Sequence, residues 1–246
     1  MDEPVPDARP LGSRISQIST RWPQLGDAAM ICVRYGPAIR KYIDSLVRDR
    51  HDAEEVAQEF LLRVVEKGFQ LADPDRGRFR DYLKIAVRNA ALTSRRRRPP
   101  SGGGGPDVSE IAAPKAPGPA EDLEWVEEWR RCILDRAWKA IEDHERRTRG
   151  NLFHTVLRLS VDNPGVDSES LAARALGADE TPLRADAFRK QLSRARRCFA
   201  EHVASEVAGT LEQPTRERVE EELGEIGLLE HVRGLLPADW DPQRGR

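Results

Sequence analysis

The chain has 246 residues, of which 33% are charged and 6% aromatic, and its forty Lys or Arg are nearly cancelled by forty-two Asp or Glu. That size allows one large core or two small ones, and so many charges with so few aromatics favour two small ones, while the near-neutral total means that any strong field must come from segregation along the chain. The three cysteines (32, 132 and 198) and five histidines (51, 144, 154, 202 and 231) show neither the spacing of a disulfide framework nor that of a metal site, and no run of about eighteen apolar residues exists to span a membrane.

At the amino terminus, MDEPVPDARP is acidic and proline-broken, unlike the basic and then apolar start of a signal peptide. With reduced thiols, no metal, no cofactor and no leader expected, the reading is a cytoplasmic protein. The next feature is a helix beginning near Asp52: Val56, Phe60 and Val64 with Ala57, Leu61 and Val65 form an apolar stripe. Its other side carries Asp52, Glu55, Gln58, Glu59 and Glu66, carboxylates that suit the first turn of a helix and otherwise read as a solvated face.

A second helix follows in FRDYLKIAVRNAALTSRRRR, residues 79–98, with Phe79, Tyr82, Leu83, Ala86, Val87 and Ala90 on the apolar side. Arg80, Lys84 and Arg88 fall at i, i+4 and i+8, and Arg95, Arg96, Arg97 and Arg98 close the segment, so residues 76–98 carry a net +8. Like charges at i+4 destabilise a free helix by about 0.2–0.5 kcal/mol per pair, which points to a polyanion that relieves them, and nucleic acid is the natural one. Phe79 and Tyr82 could stack on bases, but their place in the apolar stripe favours packing.

Residues 99–120 hold six Pro and five Gly, including GGGG, with no apolar period, the composition of a flexible tether. Strand signals are nearly absent throughout. The expected fold is all-α, two small helical bundles on a string: residues 15–98, the linker 99–120, a second bundle at 121–205, and an acidic extension at 206–246. Trp125, Trp129 and Trp138 lie on one helix of the second block, where packing is the plain explanation.

Residues 168–199 outline a helix-turn-helix: Leu171, Ala172, Ala175 and Leu176 inward, a turn at Gly177, then a helix with Phe188, Leu192, Ala195 and Phe199 inward. That second helix turns Arg189, Lys190, Ser193, Arg194 and Arg197 outward, as a helix in a major groove would. Residues 201–230 then carry nine Glu against two Arg, and Leu211, Val219, Leu223, Ile226, Leu229 and Val232 give this tail helical apolar stripes on either side of Pro214. Such a tail can fold back and mask a basic face, or simply extend the second bundle.

Taken together, DAEEVAQEFLLRVVEK (52–67), GRFRDYLKIAVRNAALTSRRRR (77–98) and AFRKQLSRARRCF (187–199) resemble, in order, the core-binding, minus-ten and minus-thirty-five helices of an extracytoplasmic-function sigma factor of the sigma-70 family. ISTRWPQL (18–25) and the segment 201–226 resemble the lead-in and extension of one subgroup. The resemblance implies a sigma factor that directs promoter-specific transcription initiation and is not an enzyme. It also implies that Asp52, Glu55, Gln58 and Glu59 meet the clamp helices of the largest polymerase subunit, that the second domain meets the flap of the second-largest, and that an anti-sigma partner is possible. Asn89, with Arg88 and the loop 73–78, would read or hold the non-template strand, and Arg95 to Arg98 would grip phosphates. Thr93 stands where the family has Asp. Between Gly177 and Ala187 there are about five more residues than the family's usual turn holds, so either the turn is long or the helix starts early, near Thr181-Pro182. A stand-alone helix-turn-helix regulator or another nucleic-acid-binding helical adaptor is the alternative.

Overall fold

The computed structural model describes residues 28–67, 78–97, 119–177, 181–211 and 213–243. Among them the protein is all-α, with nine helices: α1 Ala28–Leu46, α2 Arg50–Lys67, α3 Phe79–Arg97, α4 Pro119–Arg147, α5 Phe153–Asp162, α6 Ser168–Ala172, α7 Ala185–Ala208, α8 Arg216–Glu225 and α9 Leu229–Val232. The tryptophan lead-in, the 73–77 part of the loop before α3, Arg98 and most of the proposed tether lie outside the described residues. α4 starts at Pro119, just inside the expected tether, because proline suits the first helical position, where its missing N–H costs no hydrogen bond.

Two hydrophobic cores are present, but they do not divide at the linker. The larger one joins Ile39, Ile43, Phe60, Leu83 and Val87 of α1–α3 to Trp125, Trp129 and Ile133 of α4, to Val203 and Val207 of α7, and to Val219, Leu223, Ile226 and Val232 of the extension. The smaller one gathers Ile141, Val156, Leu157, Leu171, Phe188, Leu192 and Ala195. The two clusters meet instead within α4, between Ala137 and Ile141, and within α7 near Phe199, which packs against both cores. Length is the reason. At about 1.5 Å per residue a 29-residue helix runs roughly 44 Å, more than one small bundle can cover, so α4 serves both.

Aromatic side chains make the junction. Tyr35 of α1 stacks on Trp129 with centroids 4.0 Å apart and planes 7° apart, and Tyr42 tilts against Trp125 at 5.2 Å. Beside them Arg136 of α4 donates to both Glu206 carboxylate oxygens of α7, at 2.6 and 3.3 Å, and Arg34 of α1 approaches the same group at 3.9 Å. Trp138 packs against the second core, lies on Phe199 and is covered by the Arg158 guanidinium 4.4 Å from its ring centroid.

The extension is built as firmly as the rest. Thr215 caps α8 by accepting from the Arg218 N–H, and the helix ends where Gly227 takes φ +70 and the Leu228 N–H returns 2.8 Å to the Leu223 carbonyl. A left-handed residue at that point needs glycine, since a Cβ would meet the following carbonyl.

Candidate nucleic-acid interface

On α2, Asp49 caps the first turn by accepting from the Asp52 N–H at 2.9 Å. Burying Ala53, Val56, Ala57, Phe60 and Val64 leaves Glu55, Gln58 and Glu59 exposed and Asp52 half-buried, so the four acidic-strip residues share one accessible side. Arg63 donates to Glu59 across one turn at 2.6 Å. Val65, expected in the apolar stripe, is instead 50% exposed, and with Leu62 at 61% it extends the acidic strip as a small apolar patch. Beside the strip, an open groove of about 580 Å3 between α1 and α2 is lined by Arg40, Asp44, Arg48, Glu54 and Gln58 among others.

α3 differs most from expectation. Phe79, Leu83, Val87 and Ala91 are buried, which settles Phe79 as packing, and the residues facing water are Asp81, Ile85, Asn89 and Thr93. The Thr93 hydroxyl donates to the Asn89 carbonyl at 2.8 Å, leaving the Asn89 side chain exposed on that line. Arg80 and Lys84, read from the sequence as outward, are turned inward. Arg80 is 4% exposed with its Nη1 2.9 Å from Glu222, and Lys84 pairs with Asp122 of α4 while lying over the Tyr42 ring. Both sit about 100° around the helix from the buried line, on the flank that α4 and α8 approach, so their neighbours were decided by distant parts of the chain. Arg88 is half-buried, and the side chains of Arg95, Arg96 and Arg97 lie outside the described residues although their backbone ends α3.

An ion cluster sits at the start of α3. Arg78 meets Glu221 at 2.9 Å, Glu225 at 3.2 Å and Glu222 at 3.4 Å. Glu222 is 3% exposed, and burial pushes its carboxyl up from the usual range against the opposing pull of Arg80 and Arg78. The acidic extension is thus seated on Arg78 and Arg80 at the start of α3.

In the smaller core, α6 is capped by Asp167, which accepts from the Glu169 and Ser170 N–H groups, and Leu171 and Ala172 are buried. Leu176, expected inward, is 53% exposed: α6 ends at Ala172, and Leu176 forms an isolated antiparallel bridge with Pro182. Two hydrogen bonds close this loop, Gly177 N–H to Thr181 at 2.8 Å and Leu183 N–H to Ala175 at 2.9 Å. The extra residues therefore lengthen the turn, and α7 begins at Ala185 rather than at Thr181. Phe188, Leu192 and Ala195 are buried and Phe199 half-buried, and Arg189, Lys190, Ser193, Arg194 and Arg197 are all exposed on the other side. Arg184 and Arg196 add to that basic surface.

Two exposed basic or amide-bearing helices and an acidic one lie on a chain whose described residues hold no cluster of metal-ligating side chains and whose cysteines are free. Residues 32–99 match the family model of Sigma-70 region 2. That stretch, less than a third of the chain, is thus similar to region 2 of sigma-70-family sigma factors. No curated protein and no solved structure matches. The matched stretch takes in most of α1 and all of α2 and α3, so the acidic strip, Asn89 and the Arg78–Arg80 segment all fall inside it. No helix among the described residues is long and apolar enough to cross a membrane.

Sequence reading did not single out α1, whose Pro37 breaks an otherwise helical run. The exposed side of the helix absorbs it there. It also gave nucleic acid, rather than Glu222 and Asp122, as the partner of Arg80 and Lys84. The surplus of Glu in the extension was the one available signal, and it carried no address.

Proposed function

We propose that the chain is a sigma factor of the extracytoplasmic-function type, with region 2 in residues 15–98 and a region 4-like helix-turn-helix in 121–205. The observation that carries the reading is the region 2 match over 32–99 together with exposed side chains at the positions the reading needs: Glu55, Gln58 and Glu59 on α2, Asn89 on α3, and Arg189, Lys190, Ser193, Arg194 and Arg197 on α7. In this reading the acidic strip docks on the clamp helices of the largest polymerase subunit, and the exposed Leu62 and Val65 enlarge the area buried there. Asn89 contacts a base of the opened minus-ten strand, where an amide can both donate and accept. α7 enters the major groove at the minus-thirty-five element with its Arg and Lys side chains, phosphate contacts fixing register and base-edge contacts giving sequence. The free thiols of Cys32, Cys132 and Cys198 favour action in the cytoplasm.

The test is a charge reversal. Glu55→Lys with Glu59→Lys, both exposed, should leave the helical fold intact and weaken co-purification with core polymerase at least tenfold. Retention at the wild-type level would remove the clamp-binding assignment.

A further inference from the structure

Three carboxylates of α8 converge on one guanidinium. Glu221, Glu222 and Glu225 lie 2.9, 3.4 and 3.2 Å from Arg78, at the first residue before α3. Three anionic groups around a guanidinium make the kind of surroundings that a DNA backbone offers an arginine, since both present fixed acceptor oxygens to its fork of donors. The two outer acids differ from the inner one. Glu221 and Glu225 have side chains 66% and 51% exposed, whereas Glu222 is 4% exposed, shared with the buried Arg80, and flanked by Val219, Leu223 and Ile226 of the main core. The inner acid anchors the helix; the outer two are free to exchange their partner without moving it.

We infer that Arg78 is a phosphate-binding residue of the promoter-reading end of α3 and that α8 holds it in an intramolecular complex with Glu221 and Glu225, which compete with DNA for the same guanidinium. The competition is local: α8 stays packed on the core, and only side-chain contacts exchange. Its strength falls with ionic strength, because both acids are at the surface, where screening acts within about 8–10 Å. A basic surface of a partner laid on α8 would draw the two carboxylates away and release Arg78, so the same contact can respond to assembly.

This inference rests on the proposed function for the identity of the DNA, and its test is made on the free chain so that the two can fail separately. The probe is a fluorescein-labelled single-stranded oligodeoxynucleotide of mixed sequence, titrated with full-length protein and followed by anisotropy. Glu221→Gln with Glu225→Gln should bind it about three- to tenfold more tightly than wild type near 50 mM salt, and the salt slope should rise by about one unit, the value for one regained phosphate contact. Removing the same charge elsewhere on the extension, at the exposed Glu230 and Asp239 as Glu230→Gln with Asp239→Asn, should give a smaller gain and no change of slope. Arg78→Gln closes the cycle: it should change the affinity of the wild-type chain little and abolish the gain in the double variant. Equal gains from the two pairs of neutralised acids, or a gain that survives Arg78→Gln, would overturn the inference. A wild-type chain that fails to co-purify with core polymerase would instead remove the sigma reading and leave the Arg78 result standing.

Discussion

Asn89 and Arg80 are nine residues apart in sequence and opposite in circumstance. Asn89 is exposed beside Thr93, whose hydroxyl is spent on the Asn89 carbonyl, so the amide is left for a ligand. Under the proposed function, Asn89→Ala should shift preference among minus-ten sequences by roughly 1–3 kcal/mol at one base position while the chain melts as wild type does, measured as relative transcript yield from promoter variants. A uniform loss over all promoters would make Asn89 structural. Arg80 is read from the sequence as one of three stacked cations seeking a polyanion, whereas in the structure it meets Glu222 of the same chain. Charge pattern shows that a partner is needed. It does not show which one, because the carboxylate that serves lies 142 residues away along the chain.

Elements repeat the lesson with different physics. α2, α3 and α7 were legible because period-3.6 burial leaves a long mark in sequence: Val56, Ala57, Phe60 and Val64, or Phe188, Leu192 and Ala195, fall on one side of a helix. The exceptions, Val65 and Leu176, lie at the edges of those stripes, where a few degrees of rotation or an early helix end decides exposure. α8 shows what a short element owes to packing. Ten residues make a marginal helix by themselves, so its stability comes from Val219, Leu223 and Ile226 in the main core. Leu223→Ala should cost about 2–5 kcal/mol, read as a lowered urea midpoint with an unchanged slope. A cost below about 1 kcal/mol would mean that α8 is not part of the core in solution.

At the scale of the whole molecule, the junction of Tyr35, Tyr42, Trp125 and Trp129 joins α1–α3 to α4 in one core. Trp129→Ala should cost about 3–5 kcal/mol and should lower hydrogen-exchange protection in α1 as well as in α4, because the indole that stacks on Tyr35 is shared property. Protection lost in α4 alone would mean that the two segments fold independently. The sequence by itself determined the all-α class, the helices with long apolar stripes, the region 2 motif, and the segregation of charge into basic and acidic stretches. These are local or periodic properties, written within one or two turns of the chain. Tertiary structure alone decided that the cores divide across α4 and α7 rather than at the linker, that Arg80 and Lys84 point inward, and that the acids of the extension close on Arg78. Each of those depends on which distant surface a helix flank meets, and a flank of given charge is compatible with water, DNA or an opposite charge until packing selects one.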